Sequence, residues 1–341
     1  MNQRQKEYRR NERLEALLKE LNDLLEPAQQ PVVKSHSMPR YPVVLLVGCA
    51  RAGSTVMLQC LSGTGCFAYP TNLISRFYAA PYIGARIQQL LTDPRYNFRD
   101  EFADFAPMAT YTSDLGKTQG LLAPNEFWYF WRRFFHFGEI QTLADDELRR
   151  VDSKGFASEL AAFEAAFDKP VLLKGMIINW IIPFVAHTLK KVLFLHVTRD
   201  PLYNAQSLLE SRLNYFGTID AWYSFKPPEY RWLKHGSPCT QVAGQVFFTN
   251  DAVSRGLASI DPAQWIRVNY EDFCEDPEAV FNAIGEKFEQ QGILREWRYR
   301  GPKRFDRSNR LRIGADDKDA ILKAYDECAQ GRAAQYEKEP N

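Results

Sequence analysis

The sequence predicts an α/β fold with a mostly parallel central sheet flanked by helices and an N-terminal helical appendage. From residue 41 onward, short apolar runs alternate with segments of helical periodicity, which is typical of strands that helices cover on both faces. The candidate strands are residues 43–47, 171–174, 192–197 and 266–270. The first strand leads into a glycine-containing loop and a helix start, which predicts a P-loop-like strand–loop–helix unit.

The composition is that of a globular protein, and it excludes several functional classes. The net charge of +1 over 341 residues provides no basic field for a nucleic-acid partner. The six cysteines form no CxxC pair and no Cys/His zinc spacing, so we expect reduced thiols and no metal. No apolar run approaches the roughly 20 residues of a transmembrane helix. The N-terminus has no signal-peptide pattern, so we expect a cytoplasmic protein.

The positions of prolines and the changes in hydrophobic pattern along the chain predict four regions. Residues 1–26 form an amphipathic helix, because leucines recur at helical spacing there. Prolines predict a linker over residues 27–40. The α/β domain covers residues 41–315, and a C-terminal helix and tail cover residues 316–341. The N-terminal helix is expected either to dock on its own domain or to pair with a second copy in a homodimer.

The loop after the first strand has almost the spacing of a P-loop, G-x-x-x-x-G-K-[ST]. Gly48, Gly53 and Thr55 match this pattern, but Ser54 occupies the lysine position. The nearest cation is Arg51, inside the loop. We therefore expect the loop to bind a phosphate-like group without the residue that contacts the β and γ phosphates of a nucleoside triphosphate.

A second candidate anion site follows the strand at residues 192–197. Arg199 stands where the strand becomes a helix, Asp200-Pro201 begins that helix, and Ser207 follows eight residues after the arginine. An arginine fork and a hydroxyl suit a phosphate group. The alternative is that Arg199 pairs with a carboxylate and that Ser207 lies on the surface.

Together these motifs resemble those of the sulfotransferase family, in particular its bacterial members. Residues 50–55, Ala-Arg-Ala-Gly-Ser-Thr, are similar to that family's 5′-phosphosulfate loop, P-[KR]-S-G-T-T. Arg199 and Ser207 match the spacing of its second motif. Residues 269–273, Asn-Tyr-Glu-Asp-Phe, with Asp276-Pro277 after them, look like its Y-E-D-L…D-P segment. The resemblance spans roughly residues 41 to 285.

The resemblance implies that the donor is 3′-phosphoadenosine 5′-phosphosulfate (PAPS), that the product is adenosine 3′,5′-bisphosphate (PAP), and that no metal takes part. The loop would hold the 5′ end of the donor, and the second motif would hold its 3′-phosphate. A C-terminal basic segment, residues 304–312, would close over that phosphate. The residues expected to bind the donor are Gly48, Arg51, Ala52, Gly53, Ser54, Thr55, Arg199, Ser207, and Arg310 or Arg312.

The catalytic residues expected from this resemblance are Arg51, Lys174 and Glu126. Arg51 would neutralise charge on the leaving oxygen, and Lys174 would lie near the sulfuryl group. Relatives often place a histidine base two residues after this lysine, where Met176 stands here. Glu126 is therefore the first choice for the base and His136 the weaker one.

The aromatic run at residues 127–137 is expected either to pack in the core or to line an acceptor pocket. A lid from Tyr215, Trp222, Tyr223 and Phe225 could cover that pocket. His196 lies within an apolar strand and reads as a core residue.

We therefore expect a sulfotransferase that moves a sulfuryl group to an acceptor hydroxyl on a glycan, a glycolipid or another small natural product. Two alternatives remain. One is a small-molecule kinase with a degenerate P-loop, against which the missing lysine and the Arg199–Ser207 pair argue. The other is a non-catalytic nucleotide-binding scaffold protein.

Overall fold

The computed structural model describes residues 4–96, 99, 113–114 and 117–336. Its strands are β1 (Val43–Gly48), β2 (Ser113–Asp114), β3 (Lys117–Thr118), β4 (Leu172–Lys174), β5 (Val192–Thr198) and β6 (Trp265–Asn269). Its α-helices are α1 (Glu12–Lys34), α2 (Ser54–Gly63), α3 (Pro81–Thr92), α4 (Trp128–Phe134), α5 (Asp145–Arg149), α6 (Ser153–Phe167), α7 (Ile182–Leu189), α8 (Pro201–Phe216), α9 (Tyr230–Leu233), α10 (Pro238–Ala258), α11 (Tyr270–Glu275), α12 (Pro277–Gln290) and α13 (Ala315–Tyr336). Short 3₁₀ turns lie at Lys6–Tyr8, Ile74–Phe77, Met176–Ile178 and Pro262–Gln264.

The central sheet is parallel and has the strand order β4-β1-β5-β6. This confirms the predicted fold class, and each of the four predicted apolar runs is a strand of this sheet. The carboxyl ends of all four strands meet at one edge. That edge carries the loop after β1, Lys174 at the end of β4, and the start of α8 after β5.

The strands alternate between two cores, as a sheet buried on both faces requires. Val43, Leu45 and Val47 pack against an aromatic core formed largely by α4, α6 and α7. Val44 and Leu46 face the opposite side, where α2, α11 and α12 pack. Every residue of β1 is buried, which fits its apolar sequence, and the strand ends at the first glycine of the loop.

The aromatic run settles mainly in the core. Phe130 and Trp131 on α4 are 1% and 0% exposed, and both rings pack on Phe156 of α6. Three members of the run are less buried: Trp128 and Phe137 are half-buried, and Tyr129 is 36% exposed. Trp128 also donates to Glu126. α4 ends at Phe134, so His136 lies beyond this helix.

Helix α1 docks on its own domain, and it begins and ends later in the chain than predicted. Asn22 donates to the Arg76 carbonyl at 2.8 Å, and Gln29 donates to the Ala79 carbonyl at 3.0 Å. The helix continues through Pro27 and Pro31 to Lys34, where the sequence analysis predicted a linker from residue 27. Both prolines are exposed, so water can satisfy the carbonyls that lose their helical partners, while packing holds the opposite face. The homodimer stays a prediction.

The C-terminal helix α13 packs on α10 and α8. Its predicted start is within one residue of the observed one, and the last predicted residues, 337–341, lie outside the described part of the chain. None of the described helices is long and apolar enough to cross a membrane.

His196 on β5 gives the fold a defined acid sensitivity. It is 1% exposed, and its Nε2 lies 3.2 Å from Asn250 Oδ1; burial lowers its pKa to about 4. Between pH 6.5 and 4 the imidazole of His196 is protonated in the unfolded chain but stays neutral in the folded chain. The free energy of unfolding therefore decreases as the pH falls through this range. We expect wild type to lose about 2 kcal/mol more than His196→Gln between pH 7 and pH 5.

Urea denaturation of both proteins at the two pH values measures this difference, because the remaining groups titrate alike in both. Equal losses in the two proteins would show that His196 does not carry the effect.

Candidate active site

The start of the loop after β1 is fixed by two hydrogen bonds with the side chain of Asn179. Asn179 Nδ2 donates to the Gly48 carbonyl at 2.8 Å, and the Gly48 amide donates to Asn179 Oδ1 at 3.0 Å. Gly48 has a φ of +129°, and a Cβ there would lie 2.4 Å from the Val197 carbonyl oxygen. Only glycine therefore lets the loop leave the strand so close to β5.

The rest of the loop is fixed from α8. Asn204 is fully buried and donates to the Ala50 carbonyl at 2.7 Å. Ala52 is buried, and Arg51 has a φ of +69°, an uncommon conformation for a residue with a side chain. The chain then enters α2 at Ser54, where the first helical amides have no intrahelical acceptor and the positive end of the helix dipole faces the loop.

Two hydroxyls start α2 and point in different directions. The Ser54 hydroxyl donates to Met176 Sδ at 3.5 Å, and both residues are buried. Thr55 Oγ1 instead accepts from Lys174 Nζ at 3.0 Å. The Thr55 hydroxyl therefore faces the charged side of the site, whereas the Ser54 hydroxyl faces Met176.

Lys174 and Glu126 form an ion pair at the end of β4. The lysine side chain is 8% exposed, and the glutamate side chain is 24% exposed. The other oxygen of Glu126 accepts from the indole Nε1 of Trp128. Phe127, between them, has a φ of +57°, and this turn allows Glu126 and Trp128 to reach each other. Because Lys174 also donates to Thr55, it connects Glu126 to the start of α2.

The other base candidates lie elsewhere. His136 is exposed and lies beyond α4, and Met176 is buried against Ser54. Among the candidates from the sequence, Glu126 is the one that the structure places beside Lys174.

Arg51, Arg199 and Ser207 converge on the opposite side of the loop. Arg51 Nε donates to Ser207 Oγ at 3.2 Å. Arg199 is 8% exposed and donates to the Arg51 carbonyl at 3.1 Å. Its guanidinium lies 4.9 Å from the ring centroid of Tyr270. Burial lowers the pKa of Arg199 from its usual range.

The C-terminal basic segment reaches Arg199 through polar side chains. Asn309 Oδ1 accepts from Arg199 at 2.7 and 2.9 Å, and Ser308 Oγ accepts at 3.1 Å. Arg312 instead pairs with Glu210 at 2.5 Å. Arg310 is exposed, and Gln206 holds its backbone carbonyl at 2.9 Å.

Part of the predicted lid borders the same site. Burial raises the pKa of Tyr223 to about 12. The positive charge of Arg51 lowers this pKa, and the negative charge of Glu126 raises it. Phe225 packs on Trp128 with ring centroids 5.3 Å apart. Trp222 lies elsewhere, against Arg212 at 5.0 Å.

A sequence-family model described as the sulfotransferase family matches residues 42–291, which is most of the chain. The chain belongs to the sulfotransferase family. This confirms the predicted resemblance and the predicted enzyme class, a transferase of sulfuryl groups. The matched region includes the loop, Glu126, Lys174 and the Arg199–Ser207 pair, and it ends before Ser308 and Asn309.

Several solved sulfotransferase structures are similar to this sulfotransferase, at low identity. STF1 from Mycobacterium tuberculosis H37Rv is 15% identical over 89% of this chain and 78% of its own, with a TM-score of 0.49. STF9 from Mycobacterium avium is 14% identical over 89% and 73%, with a TM-score of 0.49. The enzyme from Alicyclobacillus acidocaldarius is 14% identical over 84% and 92%, with a TM-score of 0.40. No curated protein matches the chain.

Several residues of the site escaped the sequence analysis. Asn179, Asn204, Ser308 and Asn309 are polar residues whose contacts span more than 100 positions along the chain. No local pattern marks such residues. Trp128 was predicted only as a member of the aromatic run. Its position two residues after Glu126 is the one local feature that could have indicated its contact with that carboxylate.

Gly53 offers a test of how closely the loop packs. It has a φ of +94°, and a Cβ there would lie 2.2 Å from Cδ2 of Tyr270, the ring that stacks on Arg199. Gly65 has a φ of +75° with no atom within 4 Å of its Cβ position. We expect Gly65→Ala to cost about 1 kcal/mol from backbone strain alone. Gly53→Ala should cost about 2–4 kcal/mol, since it adds a clash.

Chemical denaturation of the two variants measures these costs. Similar losses for both would mean that the Tyr270 ring moves freely and does not fix the loop.

Proposed function

We propose that this sulfotransferase uses PAPS as its donor and transfers the sulfuryl group to an acceptor hydroxyl. One observation carries the proposal. Three cations lie at the carboxyl edge of a parallel sheet and at the start of a helix: Lys174 pairs with the carboxylate of Glu126, and Arg51 and Arg199 lie on the opposite side of the loop. Ligands of open parallel sheets bind at this edge.

The donor side suits two separated anionic groups. Arg51 and the first amides of α2 form a cradle for the 5′-phosphosulfate, with the Thr55 hydroxyl as a further donor. Arg199 and Ser207 stand on the α8 side of the same loop, where a 3′-phosphate would be held. Arg199 now donates to Ser308 and Asn309, so a bound phosphate would share or replace those acceptors.

The chemical roles follow from the positions. Sulfuryl transfer is an in-line displacement with charge spread over the transferring group, and positioning and electrostatics dominate such reactions. Lys174 lies between Thr55 and Glu126, where it neutralises charge on the transferring group. The guanidinium of Arg51 stabilises charge on the leaving phosphate oxygen. Bonds to both cations strengthen as that charge develops.

Glu126 is the proposed general base. It is partly exposed and is held by two donors, Lys174 and Trp128. It would take the proton of the acceptor hydroxyl as the oxygen attacks sulfur. Trp128, Phe225 and Trp180 form an aromatic wall beside it, with ring centroids 5.3 and 6.4 Å apart. An acceptor with a flat or apolar body would pack on this wall.

Isothermal titration calorimetry tests the donor. We expect PAP to bind and ATP to bind much more weakly, because the site offers a place for a 3′-phosphate and no Walker lysine. Arg199→Ala should weaken PAP about 10- to 100-fold through the loss of charged hydrogen bonds. Arg255→Ala, which breaks an exposed ion pair with Asp251, is the control. ATP binding without PAP binding would exclude the proposed donor.

The base is tested by Glu126→Gln, which preserves shape and removes the proton acceptor. We expect kcat of transfer to fall about 10²- to 10⁴-fold with an unchanged Kd for PAP. Glu139→Gln is the matched control, because Glu139 also pairs with a lysine, Lys226, at 2.7 Å. Transfer by Glu126→Gln at the wild-type rate would assign the proton to another group.

A further inference from the structure

The segment that precedes α1 is bound to the face of α8 that leads out of the candidate active site. The amide of Gln5 donates to the Tyr215 carbonyl at 2.9 Å. Tyr8 is 8% exposed, and its ring lies 4.8 Å from the Tyr215 ring. A short terminal segment is thus fixed by a backbone hydrogen bond and a buried ring.

Tyr215 and Ser207 share one stripe of α8. Ser207, Ser211 and Tyr215 follow each other at four-residue spacing, which places them on one helix face. Ser207 contacts Arg51, and Tyr215 lies about 12 Å farther along the helix. The stripe therefore leads from the loop to the N-terminal segment.

Tyr223 connects the two ends of this stripe. Its ring lies 5.6 Å from the Tyr215 ring. Phe225, two residues farther along the chain, packs on Trp128, which donates to Glu126. Tyr8, Tyr215 and Tyr223 therefore form a row of rings, called here the tyrosine row, from the N-terminal segment to the reacting groups.

Two cations cover the outer end of the tyrosine row. The guanidinium of Arg4 lies 5.3 Å from the Tyr215 ring centroid, and the ammonium of Lys117 lies 5.2 Å from the Tyr8 ring centroid. No ion pair between described side chains involves either of them. Within the described part of the chain, neither charge therefore has a carboxylate partner that an anionic group on the row would have to displace.

We infer that the N-terminal segment is part of the acceptor site, and that the tyrosine row with Arg4 and Lys117 selects an acceptor that carries a negatively charged group remote from its reacting hydroxyl. The inference rests on the proposed function. The hydroxyl lies at Glu126, the body of the acceptor packs along the row, and a carboxylate or phosphate on the acceptor meets the two cations. Such an attraction is electrostatic and weakens as salt is added.

The test uses the full chain saturated with PAP and two probe acceptors, 6-(4-hydroxyphenyl)hexanoate and its uncharged amide, whose extended length is about the 12 Å that separates the loop from Tyr215 along α8. Calorimetry should show that wild type binds the carboxylate about fivefold more tightly than the amide. The double variant Arg4→Gln/Lys117→Gln should lose that preference. Tyr8→Ala should weaken both probes about tenfold and leave the Kd of PAP unchanged.

Tyr82→Ala is the matched control, because Tyr82 on α3 has a similar cation contact with Arg86 at 5.0 Å. The inference is overturned by equal binding of the two probes to wild type, by no binding of either, or by a preference that survives in the double variant. Equal effects of Tyr8→Ala and Tyr82→Ala also overturn it. Failure of wild type to bind PAP would instead overturn the proposed function.

Discussion

The contacts of Lys174 hold the candidate active site together. Its ammonium group donates to Thr55 at the start of α2 and to Glu126 before α4, so it joins three chain segments that are remote in sequence. A buried lysine is tolerated only with such partners, because the charge loses its water. Loss of the Glu126 carboxylate would leave this buried charge without its ion-pair partner. The donor side and the acceptor side of the site therefore both depend on Lys174.

The loop geometry depends on a second constraint, the close approach of β1 and β5. Gly48 and Gly53 have positive φ angles, and each packs where a Cβ would collide with a neighbour. Asn179 and Asn204 then bind the loop carbonyls and the Gly48 amide from outside. The loop's backbone polar groups are thus partly satisfied from neighbouring elements, and the first amides of α2 remain directed toward the space that an anion would occupy.

The sequence predicted what depends on local periodicity and spacing. Each strand of the central sheet is a buried apolar run, and the loop pattern from Gly48 to Thr55 is contiguous. Contacts between distant segments were not predictable in the same way: Asn309 meets Arg199 across 110 positions. The C-terminal end of α1 was also missed, since Pro27 and Pro31 interrupt its hydrogen bonds, and tertiary contacts such as those of Gln29 help to compensate.

The N-terminal helix links the core to the edge of the site. Near its C-terminal half, Glu26 pairs with Arg133, which also pairs with the buried Glu159 at 2.7 Å. Near its N-terminal end, Glu15 accepts from Tyr129 at 2.6 Å. A helix fixed at both ends determines where the residues before it emerge, and here they emerge at Tyr215. The appendage therefore supplies a fixed starting point for the segment that meets the tyrosine row, which a flexible tail could not do without losing conformational entropy on each binding event.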